Sequence, residues 1–307
     1  MPSSTDWKPV ARLLFKGGTS LSKGYGLIER FSEDIDITVF REDIGQPTTF
    51  EELEAMSGKK RNARLEAIKA ACQEYIQGPM LERLSVLLQQ TLKTAGMNQN
   101  RARVESDPDD PDGQSLLLWY PTATADGNAY IRRAIKIESG AKSALDPHAP
   151  VVVKPYIADD LPNLNLAVGN VTTVDPSRTF WDKVIILHGL RRWWDRRGEL
   201  KGGGQRVSRH YYDVYRLLAS EIGCKATEDS ELAEDCVRHA RMFFNRPDLD
   251  LASAVPGSLA LTPHDGMLAD LRRDYEAMSG MVFGPIPTVD EVVNGIRVLE
   301  QRINRGS

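Results

Sequence analysis

The stretch Asp34-Ile35-Asp36-Ile37-Thr38-Val39 constrains this chain more than any other. Its apolar residues alternate. Ile35, Ile37 and Val39 share one face of a strand and belong in a core, while Asp34 and Asp36 project together from the opposite face. The predicted strand covers 35–40, with the two aspartates at its start. Neighbouring carboxylates repel each other and add nothing to packing. A divalent cation relieves that repulsion, and hard oxygen donors suit Mg²⁺. The plain alternative for an isolated Asp-x-Asp is an exposed strand with solvated aspartates.

What precedes the strand favours the metal. A short apolar strand, Arg12 to Phe15, leads into Gly17-Gly18-Thr19-Ser20, and a helix opens at or near Ser20. Glycine lets a phosphate approach the backbone, and a helix start offers unpaired N–H groups. Thr19, Ser20 and Ser22 add hydroxyls. Alone, such a turn is equally a tight strand-to-helix connection. A third carboxylate is expected from a neighbouring strand, and Glu138 is the candidate. In the predicted strand Tyr130 to Glu138, Ile131, Ile135 and Ile137 form the apolar face; Arg132, Lys136 and Glu138 form the polar one, able to hold a metal and an anion together. Cross-strand ion pairing on a surface strand is the alternative.

The pattern changes near residue 175. Before it, further strands are predicted at Gln114 to Trp119 and Val151 to Tyr156, with helical sequence from about Glu51 to Ala95. The loop Ser106 to Gly113 is acidic and turn-rich, and Pro111 falls where a calcium loop needs a ligand. After it, helices are predicted from Pro176 to Arg197 (capped by Asp175), Ser208 to Ser220, Ser230 to Asn245 and Pro287 to Ile303, with a flexible break at Gly198 to Gln205. The expected architecture is an α/β (α+β) domain with a mixed sheet over 1–174 and a mostly α-helical domain over 175–307. Lys183 interrupts an apolar helix stretch, so its amine has to reach water or an anion. Arg209, Asp213 and Arg216 share one face of the next helix.

Composition limits the function classes. The 307 residues carry a formal net charge of −4, which excludes a generally basic nucleic-acid coat. Any nucleic-acid surface has to be local. Arg191, Arg192, Arg196, Arg197, Lys201, Arg206 and Arg209 face only Asp195 and Glu199 in the same stretch, with Trp193 and Trp194 interleaved. Such a segment can hold phosphate and stack bases, or be a solvated helix end with its tryptophans in the core. No apolar run reaches the roughly 18 residues of a membrane span, no secretory leader is evident, and three scattered cysteines fit a reducing, cytoplasmic setting.

Gly17-Gly18-Thr19-Ser20-Leu21-Ser22-Lys23, followed by Arg30-Phe31-Ser32-Glu33-Asp34-Ile35-Asp36, closely resembles the AbiEii/AbiGii toxin family of nucleotidyltransferases, of the DNA polymerase β-like superfamily. Arg178-Thr179-Phe180-Trp181-Asp182-Lys183 is similar to the family's lysine-bearing helix, with Asp182 where a Glu is usual. Arg209-His210-Tyr211-Tyr212-Asp213 is similar to its Arg-x-x-x-Asp helix. The resemblance implies a two-metal NTP-dependent enzyme. Asp34, Asp36 and Glu138 would hold Mg²⁺, or Mn²⁺, with Lys183 and Asp213 also catalytic. Gly17, Gly18, Thr19, Ser20, Ser32, Lys136 and Arg209 would bind the nucleotide. Asp213 either orients Lys183 or acts as a base. A phosphate on Ser32 would intrude on the metal site. The implied acceptor is RNA, a tRNA 3′ end, docked on Arg191, Arg192, Arg196 and Arg197. The implied partner is a separately encoded antitoxin. Transfer to a protein or small molecule, and nucleotide binding without turnover, are the alternatives.

Overall fold

A computed structural model describes residues 10–32, 34–121, 134–204 and 206–305. The expected start of a strand at Tyr130 to Arg133, including Ile131 and Arg132, lies outside the described residues, as do Arg12's predecessors up to residue 9 and Gln205. The chain forms two compact units: 1–19 with 33–145, and 20–32 with 146–307. The expected boundary at 174/175 differs from this division, because Ser20–Ser32 and a later β-hairpin group with the helices. Leu21 and Ile28 are the reason for the first: both are buried in the helical core.

In the first unit, β1 (Leu13–Lys16) leads into helix α1 (Gly17–Lys23), within which the unit boundary falls. β2 (Asp34–Val39) follows, then α2 (Phe50–Ala55), α3 (Gly58–Tyr75) and α4 (Leu81–Thr94), and finally β3 (Arg103–Ser106), β4 (Ser115–Trp119) and β5 (Ala134–Glu138). The five strands run in the order β3-β4-β5-β2-β1. β2 and β5 are parallel and the other pairs antiparallel, so the sheet is mixed. A reciprocal cap starts α2: Glu52 N donates to Thr49 Oγ1 and Thr49 N to the Glu52 carboxylate. Pro79 has no N–H to donate, and the widened turn Ile76–Met80 between α3 and α4 absorbs it. Ile37, Val39, Ile68, Cys72, Leu116 and Ile137 lie in the core beneath the sheet.

In the second unit, β6 (His148–Val153) and β7 (Val168–Val174) form an antiparallel pair. The helices are α5 (Pro176–Arg197), α6 (Ser208–Leu218), α7 (Glu221–Ala226), α8 (Ser230–Phe243), α9 (Asp265–Ser279) and α10 (Val289–Arg305). The Asp175 side chain accepts from Ser177 N at 2.8 Å to start α5, and Gly198 ends it in the left-handed conformation at φ 68°. The fully buried Arg178 ties α5 to Asp235 of α8, with Asp182 3.6 Å away. Phe180, Val184, Leu187, Tyr211 and Leu217 sit in the helical core. No helix among the described residues is long and apolar enough to cross a membrane.

Gly223 of α7 has no room for a side chain, since a Cβ would fall on the backbone carbonyl of Leu217. Gly223→Ala is expected to lower stability by about 1–3 kcal/mol in urea unfolding, through forced displacement of that turn.

Candidate active site

In the first unit, strand pairing assembles the carboxylates that the alternation singled out. Parallel register sets Asp36 beside Glu138 and Asp34 beside Lys136; β1 sets Lys16 opposite Asp36. Side chains of paired residues project from one face, so Lys16, Asp36 and Glu138 form a row across three strands. Asp34 is buried, with 8% of its surface exposed, and Asp36 is half-buried. The Thr19 hydroxyl donates to the Asp34 carbonyl, joining α1 to β2. Gly17 adopts φ 76°, and a Cβ there would occupy the space of the Asp36 carboxylate. Glycine is therefore required here by the aspartate that packs on it.

Glu138 is engaged sideways. Its Oε1 accepts from Lys136 Nζ at 2.8 Å, and the same amine lies 3.3 Å from buried Asp107. Burial works against the Lys136 charge, but these two carboxylates outweigh it and raise the amine's pKa. Among the described residues no three His, Cys, Asp or Glu side chains stand together as a ready metal cage. The donors themselves are all oxygen, which fits Mg²⁺ or Mn²⁺. The acidic loop at 106–113 has its carboxylates engaged within the loop and by neighbouring elements: Asp110 accepts from Asp112 N and Gln114 N at 2.9 and 2.8 Å, and Asp112 from Lys69 of α3 at 2.6 Å. The expectation of an ordinary loop agrees with that. An open hollow of about 370 Å³ beside it is lined by Asp109, Asp110, Asp112, Lys136 and Glu138.

In the second unit the centre is Asp213, on α6 and fully buried. Arg30 grips it with a fork, Nε to Oδ1 and Nη2 to Oδ2, both at 2.7 Å. Lys183 of α5 donates to Oδ2 at 2.8 Å. Burial alone would raise the Asp213 carboxyl, but the charges of Arg30 and Lys183 prevail and hold it far below the usual carboxylate range. Such a carboxylate is a poor proton acceptor and a strong anchor. Among the described residues, two buried cations therefore converge on this one carboxylate. His210 is pushed well below its usual range by burial and by the charges of Lys183 and Arg209. In sequence, Arg30 stands in the motif that precedes β2 and shows no role of its own. Its partner lies 183 residues away, and no local spacing announces that.

The remaining expected residues are also placed. Ser20 and Ser22 are buried, as is Gly18, while Ser32 and Arg209 are half-buried. The arginines of α5 meet carboxylates beyond Asp195 and Glu199. Arg191 binds Asp195 and the Thr262 carbonyl at 2.9 and 2.5 Å; Arg197 binds Asp248 at 2.6 Å; Arg192 and Arg196 approach Asp250 at 3.8 and 3.7 Å. Asp248 and Asp250 therefore reduce the local positive excess that the linear sequence suggests. Arg196 and Arg197 stay exposed. His188 bridges the Asp250 carbonyl and Ala260 N, a packing role.

Asp213→Ala is expected to cost about 3–5 kcal/mol in urea unfolding, because it strands two buried cations. Arg30→Leu is expected to cost less, since Asp213 keeps Lys183. The Asp213 contribution is fully present above its unfolded value of about pH 4 and is lost as pH falls through the depressed folded value. Unfolding measured at several acid pH values checks this. Gly17→Ala is expected to displace the Asp36 carboxylate and reduce any Asp36-dependent activity at least 10-fold, by analogy with small misplacements of reacting groups.

The family model described as "Nucleotidyl transferase AbiEii toxin, Type IV TA system" matches residues 10–295. No curated protein matches the chain. Among solved structures, MenT4, a nucleotidyltransferase toxin from Mycobacterium tuberculosis H37Rv, is similar over 97% of this chain and 86% of its own, at 16% identity and a TM-score of 0.42. That likeness is too remote to assign any residue a role. The family match covers most of the chain in a single run, and the chain belongs to the AbiEii family of nucleotidyltransferase toxins of type IV toxin–antitoxin systems.

Proposed function

We propose that this toxin transfers a nucleoside monophosphate from an NTP to an RNA acceptor, a tRNA 3′ end, in a Mg²⁺-dependent reaction. The observation that carries this reading is the Asp34/Asp36 pair on one face of β2, with Asp36 seated on Gly17 and in register with Glu138. Asp34 and Asp36 would hold Mg²⁺, or Mn²⁺, and Glu138 would join them once an anion draws Lys136 away. Bound there, the metal would neutralise triphosphate charge and ease deprotonation of the acceptor hydroxyl.

The chain's own groups bind and orient. Asp213 takes one of the three Lys183 donors and leaves two for phosphate oxygens. Thr19 has committed its hydroxyl to β2, so contact with the triphosphate falls to the backbone of Gly17, Gly18, Thr19 and Ser20. Ser32, Lys136 and Arg209 are assigned to the nucleotide as well. The acceptor oxygen forms a bond to the α-phosphorus as the α–β phosphoanhydride bond breaks, and pyrophosphate leaves with the electron pair. The acceptor proton passes to solvent, since Asp213 is held ionised between two cations and is here a positioning residue. Arg196 and Arg197, the exposed members of the basic segment, are assigned to RNA phosphates with Arg191 and Arg192 behind them. Growth arrest would follow from blocked aminoacylation in the cytoplasm, countered by a separately encoded antitoxin.

The test incubates the protein with Mg²⁺, total RNA and each α-labelled NTP in turn, beside Asp36→Ala. Label entering a tRNA-sized band with the wild type alone is the expected result, and it names the base. Label on protein would move the acceptor assignment. NTP binding with no label on any acceptor would favour a binding module.

A further inference from the structure

Three aromatic side chains are exposed around one residue of the second unit. Phe31, Tyr156 and Phe283 keep 37%, 40% and 46% of their surface in solvent. They are brought together by backbone pairing: Arg30 bridges Val282 antiparallel, Phe31 N donates to the Met281 carbonyl at 2.7 Å, and Phe283 N to the Glu29 carbonyl at 2.8 Å. The Tyr156 hydroxyl donates to the Arg30 carbonyl at 3.2 Å, and its ring meets Phe283 edge to face with centroids 4.8 Å apart. The Lys23 amine lies over the Tyr156 ring, buried and with no hydrogen-bond partner among the described residues; burial pushes it down to about 8. Large rings left this open are costly to hydrate, and nothing in the unit's core needs them there.

We propose that Tyr156 and Phe283, flanked by Phe31, form the shelf that takes the base of the incoming NTP, one ring stacking on the base and the other, set at 67° to it, meeting the base edge-on. This inference rests on the nucleotidyltransferase reading and extends it to the base. Arg30 connects the two ends of a nucleotide. Its carbonyl anchors Tyr156, while its guanidinium fixes Asp213 and thereby Lys183, the amine assigned to phosphate. A base on the shelf and phosphates at Lys183 belong to one small ligand. Aromatic stacking accepts every base, because each has a π face, so the shelf supplies affinity and not a choice among the four. Lys23 lies against the same ring and adds a cation next to the nucleotide.

Calorimetry with Mg²⁺ and no RNA tests this, comparing each NTP with inorganic tripolyphosphate, which has no base. Tyr156→Leu and Phe283→Leu are expected to weaken NTP binding by about 5- to 100-fold, the range for losing a base–aromatic stack. Tripolyphosphate binding should be unchanged, and it doubles as the check that the variants fold. Tyr156→Phe, which keeps the ring and loses the hydroxyl, should bind NTPs within about 3-fold of wild type. Equal weakening of NTP and tripolyphosphate, or none of either, would overturn the shelf while leaving the enzyme reading intact. A loss seen only with a short 3′-ended RNA would reassign the rings to the acceptor and overturn the NTP assignment. A wild type that binds no NTP would overturn both.

Discussion

The buried charge on Asp213 is the interaction around which the helical unit is organised. A carboxylate with no solvent exposure is tolerated only when cations meet it, and here the fork of Arg30 and the amine of Lys183 do so from two distant parts of the chain. Arg30 thus joins Leu21 and Ile28 in tying Ser20–Ser32 to the helices and not to the strands that flank it in sequence. Two cations at hydrogen-bond distance favour the ionised form of Asp213 and hold its carboxyl far below the usual carboxylate range.

The sheet unit has a parallel logic with a different origin. β2 is an interior strand, paired along both edges by β1 and β5, and of its aspartates Asp34 is buried and Asp36 half-buried. Thr19 locks the turn to the strand through the Asp34 carbonyl, and Gly17 gives the Asp36 carboxylate somewhere to rest. The sequence motif alone suggests a glycine that makes room for a phosphate. The structure shows a nearer cause, a carboxylate packed where a Cβ would be.

The basic segment shows the limit of counting charges along a chain. Linear sequence opposes its arginines with Asp195 and Glu199 only. Folding brings Asp248 and Asp250 against them and ties α5 to the segment that follows α8. Short ion pairs at a helix end contribute little stability each, but they set how much positive charge remains for a partner. The same blindness hid β3, whose few residues carry no strong alternation, and α9, which no expected element covered.

Sequence by itself determined the elements whose pattern is local: the alternation of β2, the Asp175 cap and Gly198 stop of α5, the strand carrying Lys136 and Glu138, and the shift from mixed sheet to helices. These depend on side-chain periods of two and 3.6 residues and on the backbone limits of Gly and Pro, all legible within a few positions. Only the tertiary structure decided the pairing of Asp36 with Glu138, the capture of Glu138 by Lys136, the closure of Arg30 on Asp213 and the gathering of Tyr156 with Phe283. Each joins residues far apart in sequence. The energy of a buried ion pair or a ring contact depends on burial and distance, and neither exists until the chain has folded.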